Sequence, residues 1–221
     1  DNLYLSPGTL TGVWVAKNDR GHIFDAMKRR ESYATSGTRI KVRLFAGYDL
    51  PDDLMSKPEW VDQAYSSGAA PMGGVLPAQD KPVKIAIQAM KAPHSGNLDR
   101  IQIIKVWSNG HMEYEKIFNV AVSDGRVVDS QTGSVDPLPN TVDLSKATYT
   151  NEYGATQLQA IWTDPSHIRG QDAAYYARVL EIPTPRWSTY DAVKLGLPVS
   201  DKVPPTIQER AWTSPIWISG G

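Results

Sequence analysis

The chain of 221 residues contains no cysteine. Disulfides, zinc ribbons, iron–sulfur ligation and thiol nucleophiles are therefore excluded together. Neither sign of charge is in excess, since 23 lysines and arginines stand against 24 aspartates and glutamates. That balance gives no basic field for nucleic acid, and no acidic or basic block marks a charged tail. No apolar run is long enough to span a membrane. The opening Asp1-Asn2-Leu3-Tyr4 has neither the basic start nor the apolar core of a signal peptide. Internal repeats and low-complexity segments are missing too.

Chemistry-bearing motifs are equally sparse. The four histidines are His22, His94, His111 and His167, and no two stand at His-x-His or i, i+4 spacing. The sequence has no G-x-S-x-G, no Walker loop and no G-x-G-x-x-G. Gly73-Gly74 is a lone pair and a slim basis for phosphate contact. Asp52-Asp53 falls in an irregular stretch and reads as loop solvation. Asp99-Arg100 precedes a strand and reads as a local ion pair. A calcium site around Asn97–Asp99 is the alternative there, without the usual oxygen-rich loop pattern.

What is present is a chain long enough to bury a sizeable core as one large domain, or as one domain with extra elements. Seven tryptophans span it, and they read as packing and sheet anchors. Residues 1–17 look loop-like, with Pro7, Gly8 and Gly12. Asn18 then caps a helix in which Asp19 favours the first turn, Ile23, Phe24, Met27 and Arg30 recur at helical spacing, and Ser36-Gly37 ends the element. From Arg39 the period changes. Ile40, Val42 and Leu44 alternate with charged residues, as in a half-buried strand. Residues 48–82 are irregular, with a short helix expected near 58–65. Such a long stretch is a functional loop or a packing segment.

Strands follow at 83–89 and 101–107. Asn109-Gly110 signals a hairpin, with a return strand over 112–122 and a turn at Asp124-Gly125. Runs at 158–162 and 175–182 complete the strand set. Ser188 and Asp191 suggest a capping box for a helix over 189–195, stopped by Gly196. Residues 211–218 form a last strand that Pro215 confines to an edge or a bulge. The spacing predicts a mainly β fold, an antiparallel β-sandwich-like domain preceded by one helix.

One stretch combines hydroxyls, arginines and a glycine at the helix-to-strand transition, from Arg29 to Ile40. It either offers donors to an anionic ligand or is a cap with solvated arginines. The residues alone leave both open.

The words Asn18-Asp19-Arg20 and Ile23 to Gly37, with Pro71-Met72-Gly73-Gly74, Asn97 to Ile103, Tyr175 to Trp187 and Ile207 to Trp217, resemble the family known as domain of unknown function 3604. The resemblance covers nearly the whole chain. Family members are longer, and their upstream part resembles the PHP (polymerase and histidinol phosphatase) superfamily. That is a distorted β/α barrel with a metal cluster, marked by His-x-His and Asp-x-His motifs. Neither motif occurs here.

The resemblance implies that residues 1–37 are the end of such a barrel, loop plus helix, and that 38–221 form the β accessory domain with a Pro-rich tail. It implies no catalytic residue and no metal ligand in this chain. For the parent it implies a divalent metal (manganese, zinc or iron) and hydrolysis of phosphoesters or related anions. Tyr33, Thr35, Ser36 and Arg39 would then line or support the pocket rim, and Arg186, Trp187 and Tyr190 would pack the β domain against the barrel. The upstream barrel is the implied partner, a periplasmic or otherwise exported location is implied, and oligomerisation is left open. The alternative is a stand-alone structural module, or one binding carbohydrate or another cell-surface polymer.

Overall fold

Alternation of apolar and polar side chains decides most of the strands, because successive residues of a strand point to opposite faces. The structure, a computed structural model, describes residues 2–5, 8–168 and 170–219. The loop expectation at Pro7 lies outside these residues. In chain order the elements are β1 (Leu10–Val13), α1 (Arg20–Lys28), β2 (Ser32–Thr35), β3 (Lys41–Gly47), α2 (Trp60–Ser66), β4 (Ala70–Pro71), β5 (Val75–Pro77), β6 (Lys84–Met90), β7 (Leu98–Ser108), β8 (Glu113–Val122), β9 (Gln157–Thr163), β10 (Ala173–Glu181), β11 (Thr184–Pro185), α3 (Trp187–Leu195), β12 (Thr206–Ile207), β13 (Arg210–Thr213) and β14 (Ile216–Ser219).

The fold is mainly β and sandwich-like, and the described residues form no closed barrel. One sheet has eight strands, with β10 flanked by β7 on one side and by β13 and β14 on the other. β8 extends it beyond β7, and β2 and β1 extend it beyond β13. Only the β14–β5 pairing in it is parallel. The second sheet runs β4-β3-β6-β9, all antiparallel. Between them lies one core of Val42, Leu44, Ile85, Ile87, Ile101, Ile103, Tyr175, Ala177, Val179, Ile216 and their neighbours.

The irregular stretch 48–82 covers the outer face of the smaller sheet. Leu50, Leu54, Trp60 and Ala64 pack there on Phe45 and Ala86. The Phe45 ring meets Trp60 and Tyr65 edge-on at centroid separations of 5.7 and 4.9 Å, a favoured aromatic geometry. All seven tryptophans have a ring, cation or hydrogen-bond partner.

Pro215 acts as expected. β13 and β14 are one strand with a one-residue shift between Thr213 and Ile216, seen in the registers Arg178↔Trp212 and Tyr175↔Ile216. The β10 amide left over at this bulge, that of Ala177, donates to the Thr213 hydroxyl at 3.0 Å. The Asn109 side chain accepts from the amides of His111 and Met112, closing the β7–β8 turn, and Gly196 ends α3 in the left-handed region at φ 66°.

The start of the chain differs from the loop-plus-helix expectation. Residues 10–13 and 32–35 are strands, paired with each other and joined to β13. α1 is shorter than its apolar spacing suggests. Its N-cap is Asp19, one residue later than expected, and its side chain accepts from the His22 amide at 2.9 Å. It ends at Lys28 rather than at Ser36-Gly37. The Arg30 amide bonds to the Met27 carbonyl and the Glu31 amide to that of Ala26, which is the Schellman pattern. Arg30 holds the left-handed position at φ 59°, where glycine is usual. α3 also starts early, at Trp187, with Arg186 as an N-cap that makes no side-chain cap bond. The expected Ser188–Asp191 box therefore lies inside the helix and does not cap it.

Candidate functional site

The cleft nearest to the expected rim lies between β1, β2 and the residues entering β3. It has a volume of about 180 Å³ and is lined by Leu10, Thr11, Gly12, Tyr33, Thr35, Thr38, Arg39, Ile40 and Lys41. Its floor depends on Gly12. In the β1–β2 register Gly12 stands opposite Tyr33, and a Cβ at residue 12 would lie 2.3 Å from the Tyr33 ring. The missing side chain lets the ring lie across the strand. Burial raises the pKa of the Tyr33 hydroxyl. Thr35 is buried and accepts from the Gly37 amide at 3.3 Å. Arg39 and Lys41 are exposed at the rim. Tyr33, Thr35 and Arg39 thus share one cleft. Ser36 does not line it: its hydroxyl accepts from the Arg210 amide at 2.8 Å and donates to the Glu209 carboxylate.

Behind Thr38 lies Glu181, with no exposed surface. Its Oε2 accepts from the Ser95 hydroxyl, while its Oε1 has no hydrogen-bond partner among the described residues. Burial drives its pKa up to about 7, opposed by the Ser95 hydroxyl, with Glu209 pushing further up and Lys91 opposing. A carboxyl placed this way holds its proton near neutrality.

Arg186, Trp187 and Tyr190 gather elsewhere, around α3. The Arg186 guanidinium donates to the Leu3 carbonyl at 2.9 Å and the Trp187 indole to that of Leu5 at 3.0 Å. Tyr190 is 42 % exposed beside them. Arg186 and Trp187 thus fasten the segment 3–5 to the start of α3.

α1 departs from ordinary packing. Ala26 is its only buried residue, whereas Phe24 and Met27 are 64 % and 58 % exposed. The helix turns its large apolar side chains to solvent.

The residues do not fit a metal centre. Among the described residues no three His, Cys, Asp or Glu side chains group as ligands. His22 lies against Asp19, and His167 meets the Gln79 carbonyl at 3.1 Å. The calcium alternative near Asp99 fails for a specific reason. Its carboxylate oxygens are occupied by donors from Arg100, Arg126 and Gln208. Gly73-Gly74 is no phosphate loop. A Cβ on Gly73 would come within 2.2 Å of the Arg30 carbonyl oxygen, so the glycine serves a close backbone approach.

Three buried charge networks escape the motif search. Lys105 donates to Asp164 at 2.7 Å and to the Ser166 carbonyl at 2.8 Å, and the Tyr175 hydroxyl also donates to Asp164. Burial alone would raise the Asp164 carboxyl, but the bonds from Lys105, Tyr175 and Ser166 hold it below its usual range. Glu31 accepts from Arg43 and from the Tyr65 hydroxyl, whose pKa burial and that bond push up to about 12. Asp99 forms the third. A signal existed for Lys105 and Glu181. Each occupies an inward-facing position of an alternating strand, in the runs Ile101-Ile103-Lys105 and Ala177-Val179-Glu181.

The geometry defines a two-sheet β module with a solvent-turned helix and a small hydroxyl-rich cleft with a cationic rim. The chain belongs to the family described as protein of unknown function (DUF3604), whose model matches residues 1–220. No curated protein and no solved structure matches it. No helix among the described residues is long and apolar enough to cross a membrane.

Proposed function

We propose that this chain is an accessory module of a larger hydrolase-like protein and that α1 is the element by which it docks. The observation that carries the reading is the inverted packing of α1. Burying a Phe or Met side chain is worth about 1.5–3 kcal/mol, yet Phe24 and Met27 stand in water while Ala26 is buried. An apolar face of this kind marks an interaction surface. The resemblance to longer proteins with a PHP-like upstream part supports the choice of partner, a β/α barrel of the same polypeptide. It also supports the reaction class of that barrel, metal-dependent hydrolysis of phosphoesters or related anions. In this reading Arg186, Trp187 and Tyr190 secure the segment leading from the barrel.

The test compares the chain alone with the chain joined to whatever upstream region its gene encodes. Amides of α1 should gain hydrogen-exchange protection in the longer protein. F24S/M27S should leave the stability of the chain alone within about 0.5 kcal/mol and lower that of the longer protein. Equal exchange of α1 in both contexts would sink the docking reading. Aryl phosphate hydrolysis with added manganese or zinc should appear only in the longer protein, and turnover by the chain alone would refute the accessory role.

A further inference from the structure

We infer that the cleft between β1, β2 and residues 38–41 binds an oxyanion, a phosphate or sulfate group carried on an organic moiety. Arg39 and Lys41 are two apart on an extended stretch and so share a side. Both are exposed, and neither makes an ion pair or side-chain hydrogen bond among the described residues. This sets them apart from Arg43, Lys84, Arg100, Lys105 and Arg126, each of which reaches a carboxylate. Among the described residues no aspartate or glutamate lines the cleft. Two acids beyond the lining are held away from it, Glu181 fully buried behind Thr38 and Glu209 bonded to Ser36.

The rest of the lining fits the same ligand. The Tyr33 hydroxyl meets no protein acceptor among the described residues, and a phosphate or sulfate oxygen accepts from hydroxyl, ammonium and guanidinium donors alike. The Tyr33 hydroxyl is protonated at physiological pH, as tyrosine ordinarily is, and can donate. Leu10 and the Tyr33 ring form apolar walls. A bare ion would leave those walls wet, whereas an organic group attached to it would cover them. A cleft of about 180 Å³ has room for both parts. The inference concerns this chain alone and does not rest on α1 docking.

The test titrates the chain with inorganic phosphate, inorganic sulfate and phenyl phosphate at low ionic strength, followed by calorimetry and by amide shifts of residues 10–12 and 33–41. Saturable binding is expected, tightest for phenyl phosphate and weakened by added salt. R39Q/K41Q should weaken it at least about tenfold. K81Q/K146Q removes the same charge from exposed sites elsewhere and should leave it unchanged. Both variants change surface residues, so folding is preserved. Absence of saturable binding for all three probes, or equal losses in the two variants, would overturn the inference. Phenyl phosphate binding no tighter than inorganic phosphate would overturn the organic-group part.

Discussion

Replacing Glu181 by glutamine should stabilise the protein at alkaline pH and do little in acid. Glu181 has no exposed surface and no ion-pair partner among the described residues. Its folded pKa of about 7 lies above the unfolded value of 4.5. The folded state therefore binds its proton more tightly than the unfolded chain. Stability from this group is fully present below pH 4.5, falls as pH rises toward 7 and is flat above it. The full gap is worth about 3 kcal/mol, and the part lost between pH 5 and pH 8 is about 2.5 kcal/mol.

Glutamine keeps the shape and the acceptor for Ser95 but cannot ionise. Urea unfolding followed by tryptophan fluorescence at pH 5, 6, 7 and 8 gives the comparison. The difference between E181Q and the native chain should widen with pH by about 2.5 kcal/mol. Lys91, Glu209 and Tyr149 face the same region, and all three are unchanged in the variant, so they cancel to first order. Asp164 titrates with the opposite sign, because its lowered pKa gives stability that is lost only in acid. Parallel stability curves for the two proteins across the four pH values would refute the reasoning.

Other perturbations test the rest of the structure. K105M leaves Asp164 buried without its counter-charge, so it should cost about 3–5 kcal/mol in urea unfolding and raise the pKa of the Asp164 carboxyl. G73A forces a Cβ within 2.2 Å of the Arg30 carbonyl oxygen at a position with φ 84°. Backbone cannot give way as a side-chain tip can, so a loss of more than about 3 kcal/mol is expected by thermal melting.

Much of the sheet structure was legible because period-2 alternation is a local signal. β3, β6, β7 and β10 fall where the alternating runs lie, the Asn109-Gly110 turn closes the expected hairpin, and Pro215 marks the bulge. The misplaced boundaries have tertiary causes. α1 ends with an arginine in the left-handed position, and no local residue announces that. The conformation is held by the Gly73 carbonyl, which accepts from Arg30 at 3.3 Å, and by the Trp217 ring 5.2 Å from the guanidinium. β2 is a strand because β13, far along the chain, pairs with it. α3 starts early where Arg186 is fixed by the Leu3 carbonyl. The cleft was half legible. Tyr33, Thr35, Arg39 and Lys41 stand close in sequence, but the β1 wall joins them only through the sheet.

The contacts that obscured the end of α1 also bear on what the helix can do. Its last turn is closed by the Schellman bonds, and Arg30 is tied to Gly73 and Trp217. Glu31, the next residue, is buried among Arg29, Arg43 and Tyr65. Arg43 in turn stacks 4.5 Å from the Trp14 ring, just before the helix. Both ends of the α1 segment are thus fastened to the sandwich while Phe24 and Met27 point outward. A helix loosely attached to the surface could rotate to bury Phe24 and Met27 against its own domain. This one is held against that rotation. A rigid apolar face also loses less conformational freedom when a partner covers it. The combination of exposure with fixed orientation, rather than exposure alone, distinguishes α1 from a surface helix that happens to carry apolar residues.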